Sequence, residues 1–158
     1  MYIKYKNLTY SYLKRNEEIL TYIIEKTDET FLKDDDIYYK AIDYNDKNIQ
    51  DIFDVEFYIT WDSKLLKVQT KWRILNTGYY MRDGKVYISH EGQLPGWKME
   101  EQYICSLLLD MNEIEGYSIK YTYNVKDGQR LETPLVIEEN VERKEFEDTF
   151  VKYMEENI

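Results

Sequence analysis

The chain has 158 residues, of which 43% are hydrophobic, 16% aromatic and 33% charged, so it is long and apolar enough to form a core within one domain. Its 31 Asp and Glu residues outnumber its 21 Lys and Arg residues and give a net charge of −10. This charge repels a polyphosphate and argues against a nucleic-acid binder, because such proteins draw most of their affinity from Lys and Arg on phosphates.

The cellular location is predicted from cysteine content and hydropathy. Cys105 is the one cysteine of the sequence, so no intrachain disulfide can form, which fits a reducing compartment. Met1–Leu13 alternates polar and apolar residues, unlike a signal peptide, and no apolar run approaches the roughly 20 residues that cross a bilayer. We therefore expect a soluble, cytoplasmic protein with no membrane contact.

The first third of the chain reads as short strands with polar connections. Tyr2–Tyr12 and Ile19–Glu25 are rich in Tyr, Ile and Thr, which predicts a first hairpin. A charged connection, Thr27–Asp36, precedes a further strand at Ile37–Ile42. Asn45–Phe53 places apolar residues at helical spacing behind a capping side chain and predicts a short helix.

The middle of the chain predicts the central strands. Val55–Trp61 and Leu66–Ile74 both alternate apolar and polar residues, the pattern of a strand with one buried face. Asp83–Gly84 and Asp127–Gly128 each separate two alternating runs, and an Asp-Gly pair in that position favours a type I′ hairpin turn.

Two later segments also have helical spacing. Trp97–Met111 repeats apolar residues three and four apart, which favours a helix. The β-forming residues Tyr103–Cys105 leave a strand as the alternative. Val141–Met154 is the clearest helix, with Asn140 as its cap. The sequence thus predicts a single α+β domain over residues 1–158, with a mainly antiparallel, tyrosine-rich twisted sheet packed by the C-terminal helix and one or two further helices.

Candidate catalytic residues are few. His90, the single histidine, lies between Ser89 and Glu91, but consecutive side chains on an extended chain point in opposite directions and cannot form a relay. Cys105 lies in an apolar stripe with no basic neighbour and is interpreted as buried and inert. We therefore predict no catalytic residue and no enzyme.

Metal and cofactor sites are not indicated by the residue spacing. One His and one Cys cannot form the common zinc sets. A calcium loop starting at Asp43 fails because Lys47 and Asn48 fall on a ligand position and on the turn glycine. The dispersed glycines form no phosphate loop, and Asp34–Asp36 is interpreted as a solvated turn. The prediction is no cofactor and no metal.

The 17 tyrosines have two interpretations. Most tyrosines on a sheet cover their neighbours, but Tyr and Trp are also enriched in recognition surfaces. An acidic surface suits a basic partner. The candidate partner-binding residues are Tyr79, Tyr80, Tyr87, Trp97, Asp34, Asp35 and Asp36.

The functional hypothesis that follows is a small acidic inhibitor protein. It would bind and block a basic partner such as a nuclease, in the manner of an immunity protein or a phage anti-defence protein, with its oligomeric state left open. Two alternatives stay open beside it. One is a small-molecule-binding domain with a Tyr- and Trp-lined pocket, and the other is an enzyme that uses His90 or a pair of carboxylates.

Overall fold

The structure, a computed structural model, describes residues 1–16, 18–23, 28–68, 81–82, 84–91, 95–101 and 104–155. Over these residues the fold is mostly antiparallel sheet with one short α-helix near the C-terminus. Within the same residues, no helix has the length and apolar character needed to cross a bilayer.

The regular elements follow one another in chain order. The strands are β1 (Tyr2–Tyr5), β2 (Leu8–Arg15), β3 (Glu18–Ile23), β4 (Leu32–Asp34), β5 (Ile37–Asp43), β6 (Ile49–Trp61), β7 (Lys64–Lys67), β8 (Met81–Arg82), β9 (Lys85–Glu91), β10 (Lys98–Glu101), β11 (Ile104–Asp110), β12 (Gly116–Lys126) and β13 (Gln129–Val141). A 3₁₀ turn at Met111–Glu113 joins β11 to β12. Helix α1 (Arg143–Phe150) follows β13 and ends in a π turn at Val151–Glu155.

The chain forms two compact units. The first contains Met1–Val55 and Tyr121–Ile137, and the second contains Glu56–Lys120 and Glu138–Glu156. Strands β6, β12 and β13 contribute residues to both. The single domain expected from the sequence stays a prediction.

The first unit contains most of a nine-stranded sheet, in which eight strands follow the order β13-β12-β6-β1-β2-β3-β5-β4 and β7 pairs with β6. Its register aligns apolar residues across strands: Ile3 of β1 pairs with Tyr10 of β2 and with Ile52 of β6. These residues belong to a buried cluster, in which cross-strand apolar contacts are the main source of sheet stability. The cluster consists of Ile3, Tyr5, Tyr10, Tyr12, Ile19, Phe31, Ile42, Ile49, Ile52 and Val125.

Both predicted Asp-Gly hairpins are confirmed. Asp127 and Gly128 join β12 to β13 with φ of 50° and 77°, the paired positive values that a type I′ turn requires. The Asp127 N–H also donates to Asp51 Oδ1 at 2.9 Å. At the other hairpin, Arg82 pairs with Lys85 and Gly84 has a φ of 71°, while Asp83 lies outside the described residues.

The second unit combines a hairpin, a four-stranded sheet and helix α1. Strands β6 and β7 pair through Ile59 and Leu66, and the sheet has the order β10-β11-β9-β8. Phe57 on β6 lies edge-on to two rings of α1, Phe146 at 5.5 Å and Phe150 at 5.1 Å between centroids. All three side chains are buried.

Several predicted element bounds are wrong. Tyr2–Tyr12 is two strands, because Lys6 and Asn7 adopt positive φ and reverse the chain. Thr27–Asp36 contains strand β4. The C-terminal helix is confirmed, but it begins after Glu142 rather than after Asn140.

The two further predicted helices are strands where the structure describes them. At the start of the segment Asn45–Phe53, the Asn45 and Asn48 N–H groups donate to the side chains of Asp43 and Asp46 and form turns. Strand β6 then begins at Ile49. In Trp97–Met111, β11 pairs residue by residue with β9 from Ile104 to Asp110. Cross-strand pairing of this kind outweighs the local helix preference, because helical spacing reflects only neighbours along the chain.

Candidate functional site

Strands β4 and β5 form a hairpin at one end of the first unit's sheet. Leu32 pairs with Tyr39 and Asp34 pairs with Ile37, so Asp35 and Asp36 form a two-residue turn. Asp35 has a φ of 51°, a conformation that Asp tolerates better than most residues. Asp34, Asp35 and Asp36 are all exposed, which places three carboxylates at the tip of the hairpin.

The hairpin has two different faces. Ile42 of β5 belongs to the buried cluster and Tyr38 packs against it, so this alternate set of residues faces inward. Because side chains alternate along a strand, the opposite set faces outward. This outer set, which we call the hairpin face, consists of Leu32, Asp34, Ile37 and Tyr39.

The hairpin face exposes large apolar side chains. Leu32 is 59% and Ile37 is 47% exposed, while Tyr39 is half-buried. Single exposed apolar residues are common on protein surfaces. Here, however, two of them share a face beside three carboxylates, which is the combination of an apolar centre and a charged rim found in protein interfaces.

The inward face of the hairpin is fixed by Lys40. Its Nζ lies 5.0 Å from the ring centroid of Tyr5 and 5.5 Å from that of Phe31, within the range of cation–π attraction. It also donates a hydrogen bond to the Thr30 hydroxyl, and the Thr30 N–H donates to Asp28 Oδ1 at 2.7 Å. Lys40 therefore contacts the inner side of the unit, away from the acidic tip.

The carboxylate of Asp46 forms hydrogen bonds within the first unit. It accepts hydrogen bonds from the Asn48 N–H at 2.8 Å and from the Tyr5 hydroxyl at 3.2 Å. Burial alone would raise the pKa of Asp46, but these hydrogen bonds outweigh burial and hold the pKa below its ordinary value.

Among the described residues, no group of three or more His, Cys, Asp or Glu side chains is placed to hold a metal ion.

Other cations of the first unit lie on its own aromatic rings. Lys14 Nζ and Arg130 Cζ lie 4.9 and 4.6 Å from the ring centroid of Tyr44, and Lys126 Nζ lies 4.6 Å from that of Tyr123. Arg130 also donates to the backbone carbonyl of Tyr44. These contacts hold positive charge against tyrosine faces within the unit.

The structure brings only part of the predicted site together. Asp34, Asp35 and Asp36 are adjacent on the first unit's hairpin, whereas Trp97 and Tyr87 belong to the second unit. Trp97 is half-buried, with its ring centroid 6.1 Å from that of Trp61. Tyr87 pairs through its backbone with Leu108, and its side chain lies outside the described part, as do Tyr79 and Tyr80 entirely.

The residues considered for catalysis lie on neighbouring strands of the second unit. His90 on β9 pairs through its backbone with Cys105 on β11, and the His90 side chain lies outside the described part. Cys105 is buried, as expected, but on a strand rather than a helix.

The apolar residues of the hairpin face were not predicted as part of the site. The sequence predicts Leu32 within a charged connection and Ile37 within a strand. The acidic turn residues between Leu32 and Ile37 are the signal that indicates a short hairpin.

The chain matches no protein-family model, no curated protein and no solved structure.

Proposed function

We propose that this protein is a small acidic inhibitor that binds a basic partner protein, such as a nuclease, through the hairpin face and the acidic tip. The observation that carries the proposal is the position of three exposed carboxylates, Asp34, Asp35 and Asp36, beside the exposed side chains of Leu32 and Ile37. A partner of this kind would cover the apolar side chains and place Lys or Arg residues against the tip.

The apolar side chains and the carboxylates of this surface would have different roles in binding. Desolvated apolar side chains at the centre of an interface give most of the affinity. Charges at the rim mainly accelerate encounter and exclude partners of the wrong sign. The hairpin would thus combine a short apolar anchor with electrostatic selection for a positively charged surface.

The proposal assigns a blocking role without catalysis. An acidic surface that occupies the cationic groove of a nuclease competes with the nucleic acid for the same charges. This proposal includes the immunity-protein and anti-defence forms of the hypothesis and a cytoplasmic location. It also includes a tyrosine-rich α+β sheet as the recognition scaffold. Tyr39, half-buried on the hairpin face, would be its first tyrosine contact.

The experiment is an affinity capture from the native cell lysate with three tagged baits. The first bait is the unaltered chain, and the second carries Asp34→Asn, Asp35→Asn and Asp36→Asn. The third is a matched control with Asp62→Asn, Asp127→Asn and Glu145→Gln, which removes three exposed acidic charges elsewhere. Asn fits the positive φ of Asp35, Asp62 and Asp127.

The expected result is one stoichiometric basic protein on the first and third baits at low salt, released by high salt, and at least tenfold less of it on the second. Equal capture by all three baits would overturn the hairpin as the binding surface. An empty first bait at low salt would contradict the inhibitor proposal and favour the small-molecule or enzyme alternatives.

A further inference from the structure

Strand β13 is unusually long and open for a strand at the end of a sheet. It has 13 residues, against a mean of about 5–6 for protein strands. Its neighbour in the sheet is β12, and among the described residues no strand pairs with its other side. Glu132, Thr133, Pro134, Leu135 and Val136 are all exposed. Since consecutive side chains point to opposite faces, both faces of this stretch are uncovered.

The two end strands of the sheet differ in how they are protected. Proteins guard an open strand edge by making it short or charged, because an open edge pairs readily with other chains. Strand β4, at the opposite end, has three residues and leads into the acidic tip. Strand β13 instead exposes Leu135 and Val136, at 43% and 50%, and between Glu132 and Glu138 only Pro134 protects its edge.

Pro134 also shows which way the backbone groups of β13 point. Proline has no N–H, so within a sheet it is tolerated where the N–H would face away from the neighbouring strand. Residues two apart on a strand point the same way. The N–H groups of Glu132 and Val136 therefore point to the open edge, where an added strand could accept from them.

We infer that β13 is a docking strand for an extended, basic segment of a partner protein. The charge of the strand selects this occupant: β13 contains three Glu and one Arg, and the Arg130 guanidinium lies on the ring of Tyr44. A second copy of the same chain would bring like charges together on adjacent strands, which is destabilising. An added strand with alternating Lys and apolar residues would pair with the open backbone and cover Leu135 or Val136.

The inference goes beyond the proposed function and does not rest on it, because its test needs no native partner. The probe is a synthetic eight-residue peptide of alternating Lys and Val, titrated into the full-length chain. Backbone amide exchange is followed by NMR. A second peptide of the same sequence, methylated on every backbone nitrogen, keeps the charges and side chains but can donate no ladder hydrogen bond.

Two variants of the chain complete the test. Val136→Pro removes one outward N–H and should leave the pairing with β12 intact, while Val136→Thr keeps that N–H and serves as the control. The variant with Asn at positions 34, 35 and 36 separates this surface from the hairpin face.

We expect the Lys-Val peptide to slow exchange of the Glu132 and Val136 amides at least tenfold. The methylated peptide should bind the unaltered chain at least tenfold more weakly than the Lys-Val peptide does, and Val136→Pro should weaken binding of the Lys-Val peptide at least tenfold. Val136→Thr and the variant with Asn at positions 34, 35 and 36 should bind the Lys-Val peptide within threefold of the unaltered chain. Binding without protection of β13, or equal binding of the methylated peptide, would overturn the inference. If Val136→Pro fails to fold, the comparison of the two peptides on the unaltered chain still tests the inference.

Discussion

Tyr12 shows how a single buried side chain links this fold to pH. Its ring belongs to the buried cluster of the first unit. Burial, followed by the nearby Asp54 carboxylate and Tyr44, raises the pKa of Tyr12 from 10.0 to about 12. Since the raised pKa favours the neutral phenol in the folded chain, Tyr12 stabilises the fold below pH 10, and this stabilisation is lost as the pH rises towards 12.

Replacing Tyr12 with Phe should therefore reduce the alkaline sensitivity of the fold. Between pH 9 and pH 12 we expect the variant to lose roughly 1–2 kcal/mol less unfolding free energy than the unaltered chain, a range already reduced for solvent screening. Urea unfolding at both pH values measures the difference. Equal losses in the two proteins would contradict the assignment.

Helix α1 illustrates stability at the scale of one element. Phe146 and Phe150 are four residues apart and so share one helix face, which packs on Phe57. On exposed positions, Arg143 pairs with Glu147 at 2.9 Å and Lys144 with Asp148 at 2.6 Å. A helix of eight residues is too short to be stable alone, so its buried rings must hold it in place.

Phe146→Ala should be among the most destabilising changes in the second unit. The ring of Phe146 also lies 4.9 Å from that of Tyr117, and removing a buried Phe typically costs about 3–5 kcal/mol through lost contacts and the cavity left behind. Chemical denaturation, with the exposed Glu145→Ala as the control, measures the loss. A cost below about 1 kcal/mol would show that α1 contributes little to the unit.

The β4–β5 hairpin gives a prediction about affinity rather than stability. Leu32→Ser combined with Ile37→Ser removes exposed apolar surface, so the unfolding free energy should change by less than about 1 kcal/mol. Affinity for the captured partner should fall at least tenfold, since apolar anchors carry much of the binding energy. Leu65→Ser, at a side chain that is 64% exposed on β7 of the second unit, is the matched control. Equal affinities would place the interface elsewhere.

The sequence predicted those elements whose signals are local. The Asp-Gly turns follow from the φ preferences of two adjacent residues, and the C-terminal helix follows from one apolar stripe. For Trp97–Met111 the favoured helix is wrong and the strand alternative is correct over β11, because the outcome depends on pairing with β9, which no local pattern contains. Likewise, Asp34–Asp36 was predicted as a candidate site, but the apolar side of the hairpin depends on the register between Leu32 and Tyr39.

At the scale of the whole molecule, the main feature is how charge is distributed over a chain with a net charge of −10. Several cations are engaged within their own unit. Lys14 and Arg130 lie on Tyr44 in the first unit, and Lys67 and Lys120 both contact Glu56 in the second. In the described part of the chain, no ion pair is formed by the three carboxylates of the hairpin tip. These three carboxylates lie beside the exposed side chains of Leu32 and Ile37, and the proposed basic partner would pair with them.

The hairpin is tested most directly by hydrogen–deuterium exchange of the chain, free and bound to its captured basic partner. We predict that exchange slows most over residues 32–39, which form β4, the acidic tip and the start of β5. Slower exchange elsewhere, with residues 32–39 unchanged, would contradict the hairpin as the binding surface.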